Sequence, residues 1–262
     1  MTRQFDFGKN WVAFSRRSVT PAQFKNVCSD LGDLLGTTVL RGKTFLDIGF
    51  GQGLSLLAAA EFGAQVTGCD VSPRCSEALA ITAKTLGKMP PPSIITGSIL
   101  DLTTIDRLSH LAPDGYDIVH AWGVLHHTED MTTAIANAAA LVADGGQLVI
   151  AIYNRHWSSP LWHGIKRLYT IVPPLLKTAM IVMFFPVITL AKLMVTRQNP
   201  FRQNRGMSFY SDLIDWIGGY PYEYASVNKI IALCERRGFR CIRLIPATVP
   251  TGCNQFVFQK RR

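Results

Sequence analysis

The residues best suited to chemistry fall in four short runs. LDIGFGQG carries Asp47, Gly49, Gly51 and Gly53, and QVTGCD closes on Asp70. HAWGVLHHTED holds Trp122, His126 and His127, while DWIGGYPYEY gathers Asp215, Trp216, Tyr220, Tyr222, Glu223 and Tyr224. Glycines at alternate positions after an apolar run let backbone approach a ligand where a Cβ would obstruct it. A carboxylate at Asp70 can accept both hydroxyls of a ribose, so a nucleoside-containing cofactor is implied, either a dinucleotide or S-adenosylmethionine. Two features separate these. The dinucleotide fingerprint GxGxxG places a third glycine where this chain has Leu54. Asp47, just ahead of the glycines, would repel a pyrophosphate but suits the ammonium group of a methionine. The balance favours S-adenosylmethionine.

A histidine titrates near pH ~6.5 when unperturbed, so its neutral ring can take a proton from a hydroxyl, amine or thiol. The expectation is His127 as base or acceptor-orienting group, with His126 packed or hydrogen-bonded behind it. The competing reading is that both rings only pin the loop. Tyr153 and Asn154 end an apolar run on the same ligand edge, with His156, Trp157, Trp162 and His163 just beyond. Asp212 and Asp215 share a helix face beside Trp216. Glu223 and its tyrosines either line a polar-apolar acceptor pocket or fasten an insertion to the main domain. Trp11 either closes over the cofactor or simply packs. No metal site is expected.

The elements that would position these groups alternate regularly. Thr20 and Pro21 open a helix over 21–35. Strands are expected at 43–49, 65–70, 93–97, 116–121 and 147–154, with helices over 53–62, 72–87 and 131–142 and a DGG turn at 144–146. Such alternation predicts an α/β, Rossmann-like, doubly wound sheet. The pattern breaks over 155–205, a mostly helical segment interrupted by Pro160, Pro173, Pro174 and Pro186. Helices over 208–217 and 226–237 and a closing strand pair, 239–245 and 254–259, complete the chain. The expected organisation is a leader or lid at 1–42, a cofactor-binding core at 43–154, a helical cap insertion at 155–225, and a helix with two strands at 226–262.

Composition narrows the setting. Of 262 residues 48% are hydrophobic, ample for one core. The six cysteines show no CxxC spacing, which suits reduced core thiols in a cytoplasmic compartment. No apolar leader precedes the first helix, so no secretory signal is expected. The net charge of +9 is concentrated: from Gly145 to Ser211 there is no acidic residue. Arg155, Lys166, Arg167, Lys177, Lys192, Arg197, Arg202 and Arg205 all lie in that window. Between Lys177 and Lys192 only 14 uncharged residues occur, short of the ~20 a membrane span needs. A cap over a pocket is therefore expected first, and peripheral contact with an anionic membrane second. No stacking tract or base-flipping motif suggests a nucleic-acid partner. The oligomeric state is not readable.

FLDIGFGQG, GCDVS, TGSILDL, YDIVHAWGVLHHTED and LVADGGQLVIAIYN together resemble the class I S-adenosylmethionine-dependent methyltransferases, in particular the small-molecule group near the ubiquinone and menaquinone methylases. The likeness implies a seven-stranded sheet whose last strand is antiparallel. It implies that Asp47, Gly49 and Gly51 surround the methionine part, that Asp70 is the ribose carboxylate, and that Val71 packs on adenine. Many relatives carry Asp where this chain has Ser98, whose hydroxyl accepts more weakly. Ile99 would wall the adenine, and Trp122 would line the cofactor and acceptor sites. The function implied is methyl transfer to a small molecule with an apolar or aromatic part, oxygen slightly favoured. Nitrogen, sulfur or carbon acceptors, RNA methylation, or a non-catalytic nucleoside- or membrane-binding role are the alternatives.

Overall fold

The computed structural model describes residues 5–89, 91, 93–196 and 209–261, without the side chains at 191, 192, 195, 196, 209–212 and 215. Seven strands form one sheet: β1 (Thr44–Ile48), β2 (Gln65–Asp70), β3 (Ser93–Thr96), β4 (Tyr116–Trp122), β5 (Val142–Tyr153), β6 (Phe239–Ile245) and β7 (Cys253–Lys260). Their order is β3-β2-β1-β4-β5-β7-β6. β1 to β5 pair in parallel, and β7 runs antiparallel between β5 and β6. The doubly wound sheet with an antiparallel last strand is as expected. Because order reverses between β1 and β4, the carboxyl ends of those strands form a switch point, where open α/β sheets bind ligands.

Ten described helices surround the sheet, from α1 (Phe7–Arg17) and α2 (Pro21–Leu35) through α3 (Leu54–Glu61), α4 (Pro73–Thr85), α5 (Leu102–Leu111) and α6 (Met131–Ala140). Then come α7 (Ser159–Ile171), α8 (Pro174–Thr196), α9 (Phe209–Gly218) and α10 (Val227–Glu235). Thr20 and Gln23 form a reciprocal capping box that starts α2, and Gly36 ends it in the left-handed region. One apolar cluster fills each face of the sheet, α5, α6 and α10 lying on one side and α2, α3 and α4 on the other.

The structure corrects several sequence expectations. The leader contains a second helix, α1, capped by Asp6, which accepts from Lys9 N at 3.0 Å. α5 was not foreseen; Asp101 caps it, accepting from Thr103 N at 3.2 Å. The DGG run does not precede β5 but lies inside it, as an irregularity between the Tyr116–Val142 and Ile118–Gln147 pairs. Pro186 does not interrupt the insertion, because α8 runs through it. Pro186 stands on the exposed side of a helix whose inner side is held by packing, which offsets the lost backbone bond. None of the six cysteines forms a disulfide.

Candidate active site

At the end of β1 the chain turns sharply through the glycines. Gly49, at φ +69°, lies so close to β4's continuation that a Cβ would stand 2.3 Å from a Val124 methyl. Gly51, at φ +55°, lies under Trp11: an added Cβ would come within 2.9 Å of the indole. Gly53 is the residue before α3. The turn is fastened by Asp70, whose carboxylate accepts from Gly51 N at 3.1 Å and from Ser72 N at 2.9 Å. Burial pushes the Asp70 carboxyl up from its ordinary pKa, the two backbone amides pull it down, and the nearby Asp47 charge adds to the rise.

Asp47 does not stand alone at the switch point. It sits beside His120 in the β1–β4 register and is 2.7 Å from His120 Nδ1, both side chains buried. Phe45 stacks on the other side of the imidazole, with ring centroids 5.7 Å apart. His120 opens the run in which the histidine pair stands, yet sequence reasoning gave it no role. A polar residue in the apolar stretch IVHAW of β4 was the available signal, but only sheet register names its partner.

Around this turn the remaining cofactor-side residues scatter. Val71 is exposed. Ser98 Oγ accepts from Leu100 N at 3.2 Å, a local turn contact. Ile99 is buried in the core beside α6, its carbonyl accepting from Asn137 Nδ2 at 2.9 Å. Trp122 Nε1 donates to Gln255 Oε1 at 3.2 Å across to β7. α1 lies over α4, with Arg16 on Glu77 at 2.8 Å and Thr82 on Ser15 at 3.0 Å, so Trp11 is carried by a docked helix.

On the other side of the switch point a second cluster assembles. Leu125–His127 form a single tight turn after β4, with the two imidazole centroids 4.4 Å apart. His126 is fully buried, neither ring nitrogen has a hydrogen-bond partner, and the Tyr153 ring lies 4.1 Å away. His127 Nδ1 is 2.5 Å from the Pro221 carbonyl, so the neutral ring holds its proton on Nδ1 and Nε2 is the basic atom. Phe7 of the leader packs on His127 at 5.0 Å. Lys166 is buried: it donates to the Trp216 carbonyl, and its Nζ lies 5.6 Å from the Tyr153 ring centre and 4.9 Å from that of Tyr222. Tyr222 is buried, and burial raises its pKa to about 12 against the opposing effect of a hydrogen bond with Ser159.

The histidines therefore titrate far from neutrality. Burial first, and the Lys166 charge next, lower His127 to about 3. His126 is lowered well below its ordinary value by burial, then by His127 and Lys166. Glu223 does not face them. Its carboxylate accepts from Met131 N at 2.8 Å at the start of α6, while its own N–H donates to the His126 carbonyl at 2.9 Å. Through Glu223 the tyrosine turn is bound to Met131 and His126, while His163 Nδ1 meets the Tyr222 carbonyl at 3.1 Å within the insertion and Phe5 N–H of the leader donates to that of Tyr220 at 3.0 Å. The side chain of Asp215 lies outside the described residues. In sequence Lys166 counts only among the basic residues of the 145–211 window, and Phe7 has no role of its own. Among the described residues no group of His, Cys, Asp and Glu is placed to hold a metal ion.

A family model described as a methyltransferase domain matches residues 22–244. Ubiquinone biosynthesis O-methyltransferase of Vibrio atlanticus (strain LGP32) is 32% identical over 141 residues, which are 52% of this chain and 55% of that protein. The chain spans about half the length of the curated relatives it matches. Magnesium protoporphyrin IX methyltransferase of Synechocystis PCC 6803, solved with bound SAH, is 17% identical and superposes with a TM-score of 0.55 over 98% of this chain and 89% of that one. PKMT2 from Rickettsia typhi, in complex with AdoHcy, is 13% identical, with a TM-score of 0.58 over 90% of this chain and 54% of that one. At these identities the two structures speak for the fold.

Proposed function

Because the chain belongs to the methyltransferase-domain family, we propose that it transfers a methyl group from S-adenosylmethionine to a small molecule with an apolar or aromatic part, preferentially at oxygen. The observation that carries this reading is the buried Asp70 carboxylate bonded to the Gly51 amide at 3.1 Å, beside the switch point where strand order reverses. Two backbone N–H groups occupy a carboxylate with about four acceptor positions, which leaves capacity for a ribose diol. Asp47 and Asp70 together make the site hostile to a pyrophosphate. When bound, the cofactor supplies an electrophilic methyl carbon on a sulfonium.

The chain's own residues do the rest. The glycine turn admits the cofactor's backbone-sized portion, and Trp11 covers it. Beneath the insertion, Tyr153, Phe7 and the face of His127 form the wall against which an apolar acceptor would align. A ring held near pKa 3 is a poor base for an unactivated alcohol, since a general base works best near the ambient pH. His127 Nε2 therefore accepts a hydrogen bond from the acceptor hydroxyl and fixes its approach, a contribution of alignment more than of proton removal. As the C–O bond forms and the sulfonium C–S bond breaks, the thioether leaves and the hydroxyl proton passes to solvent. Oxygen is preferred because His127 Nε2 can accept from a hydroxyl, and because the curated relatives are named O-methyltransferases. An apolar acceptor held in an anionic bilayer would reach the site from the insertion.

Incubation with methyl-labelled S-adenosylmethionine and fractionated small-molecule extracts tests the reading. Label is expected in an apolar organic product carrying a new O-methyl group. Label confined to RNA, or no transfer despite cofactor binding, would overturn it.

A further inference from the structure

α8 has 23 residues and is apolar all round, a composition that belongs in a protein core or in lipid rather than on a wetted surface. Its two sides have different surroundings. Met180, Ile181, Phe184 and Ile188 pack with Tyr169, Leu213 and Ile217 of α7 and α9. At about 100° per residue, Leu175, Val182, Met183 and Leu190 fall on the opposite side, with Val187 and Met194 at its margin; all six are exposed, Leu175 at 81% and Val182 at 67%. Ile171 and Leu168 continue the exposed apolar surface from α7 into the connection, and Trp157 stands at 84% exposure before it.

This half-covered helix is also the centre of the one-signed charge window. No acidic residue occurs between Gly145 and Ser211, whereas Arg155 and Arg167 are exposed on the described part of the same segment. Among the described residues no helix is long and apolar enough to cross a membrane. α8 is, moreover, held along one whole side by α7 and α9. Apolar side chains flanked by basic ones, on a helix that cannot span, match the interface of an anionic bilayer: the side chains enter the acyl boundary and the cations meet lipid phosphates. We propose that the outer side of α8, with the α7–α8 corner, docks the protein in the plane of an anionic membrane. The docking itself is independent of the methyl-transfer reading. Its consequence, delivery of an apolar acceptor through the insertion, rests on that reading.

The test is flotation of the full chain with vesicles of about 70% phosphatidylcholine and about 30% phosphatidylglycerol, against phosphatidylcholine alone. Binding is expected on the anionic vesicles only and should weaken as salt is raised. The double variant Val182→Asp/Leu190→Asp should bind at least about tenfold less, while S-adenosylhomocysteine binding by calorimetry stays unchanged. Should that variant fold poorly by circular dichroism, a Leu190→Trp variant replaces it, whose emission brominated anionic lipids should quench. Equal flotation of the double variant, or no quenching, would overturn the proposal. So would a wild-type dimer that the double variant converts to monomer, since the surface would then be covered by a second copy. Retained cofactor binding in every arm separates failure of docking from failure of the methyltransferase reading.

Discussion

The two ends of the candidate site are built differently. On the proposed cofactor side the contacts sit at strand ends and run largely through backbone amides. Gly51 of the β1 turn and Ser72 at the start of α4 both donate to Asp70 at the end of β2, and Asp47 of β1 meets His120 of β4, distant in the chain but next to it in the sheet. On the proposed acceptor side, one cluster draws on Phe7, His126, His127, Tyr153, Lys166 and Pro221, which come from the leader, the turn after β4, the end of β5 and two distant parts of the insertion. The first is a backbone device, in which main-chain conformation and amide donors do the work. The second is a side-chain device, which exists only after distant segments have packed. The first tolerates little local change, and the second responds to changes far away in sequence.

The sharpest way to break that contrast is at the backbone. Gly49→Ala should cost about 1–3 kcal/mol for a side chain held at positive φ, with added crowding against Val124, and should abolish S-adenosylhomocysteine binding. Thermal melting and calorimetry read both effects. A Gly49→Ala protein of native stability and affinity would show that the turn is not conformationally committed. On the acceptor side, His127→Gln should lower turnover by about a hundredfold through lost alignment and leave cofactor affinity in place. A parallel loss of affinity would mean that the two ends are not separable.

A smaller effect is expected from pH. The folded chain holds both histidines below their ordinary values; for His127, between about pH 6.5 and about 3, the unfolded chain takes up a proton that the folded one refuses, and His126 acts in the same direction. Stability is therefore complete above the unfolded value and falls as the pH drops through this window, by at most about 1.4 kcal/mol per unit for each histidine. Lys166→Met should move His127 upward, visible as an imidazole titration by NMR, because part of the depression comes from the Lys166 charge. An unmoved titration would leave burial as the whole cause. The smallest effect belongs to Glu223→Gln, which weakens the hold on Met131 N at the start of α6 and should cost about 1 kcal/mol without touching cofactor affinity.

The same contrast explains what the sequence discloses. α2 is readable because Thr20, Pro21 and Gly36 mark its ends locally, and β1, its glycines and Asp70 are readable because alternation and turn chemistry are short-range signals. α1 and α5 are equally legible, since each follows an Asp cap and carries apolar residues at helical spacing in an otherwise polar stretch: Phe7, Trp11 and Phe14 in α1, and Leu102, Ile105 and Leu108 in α5. The histidine pair is visible as residues, but its protonation is not. Its low pKa depends on burial under the insertion and on Lys166, which lies 39 positions further along the chain and carries no motif. Glu223 looks like an acceptor-site carboxylate in sequence and is a helix cap in three dimensions, because only folding brings it to Met131.

The proposed chemistry depends on the assignment of the Asp70 carboxylate, at the glycine turn, as the group that would hold a nucleoside sulfonium cofactor. Isothermal calorimetry of S-adenosylhomocysteine on the wild-type chain and on Asp70→Ala tests it most directly. Saturable binding to the wild type, at least about tenfold weaker in Asp70→Ala, is the predicted result. Unchanged affinity in the variant, or saturable binding of a dinucleotide in place of S-adenosylhomocysteine, would contradict it.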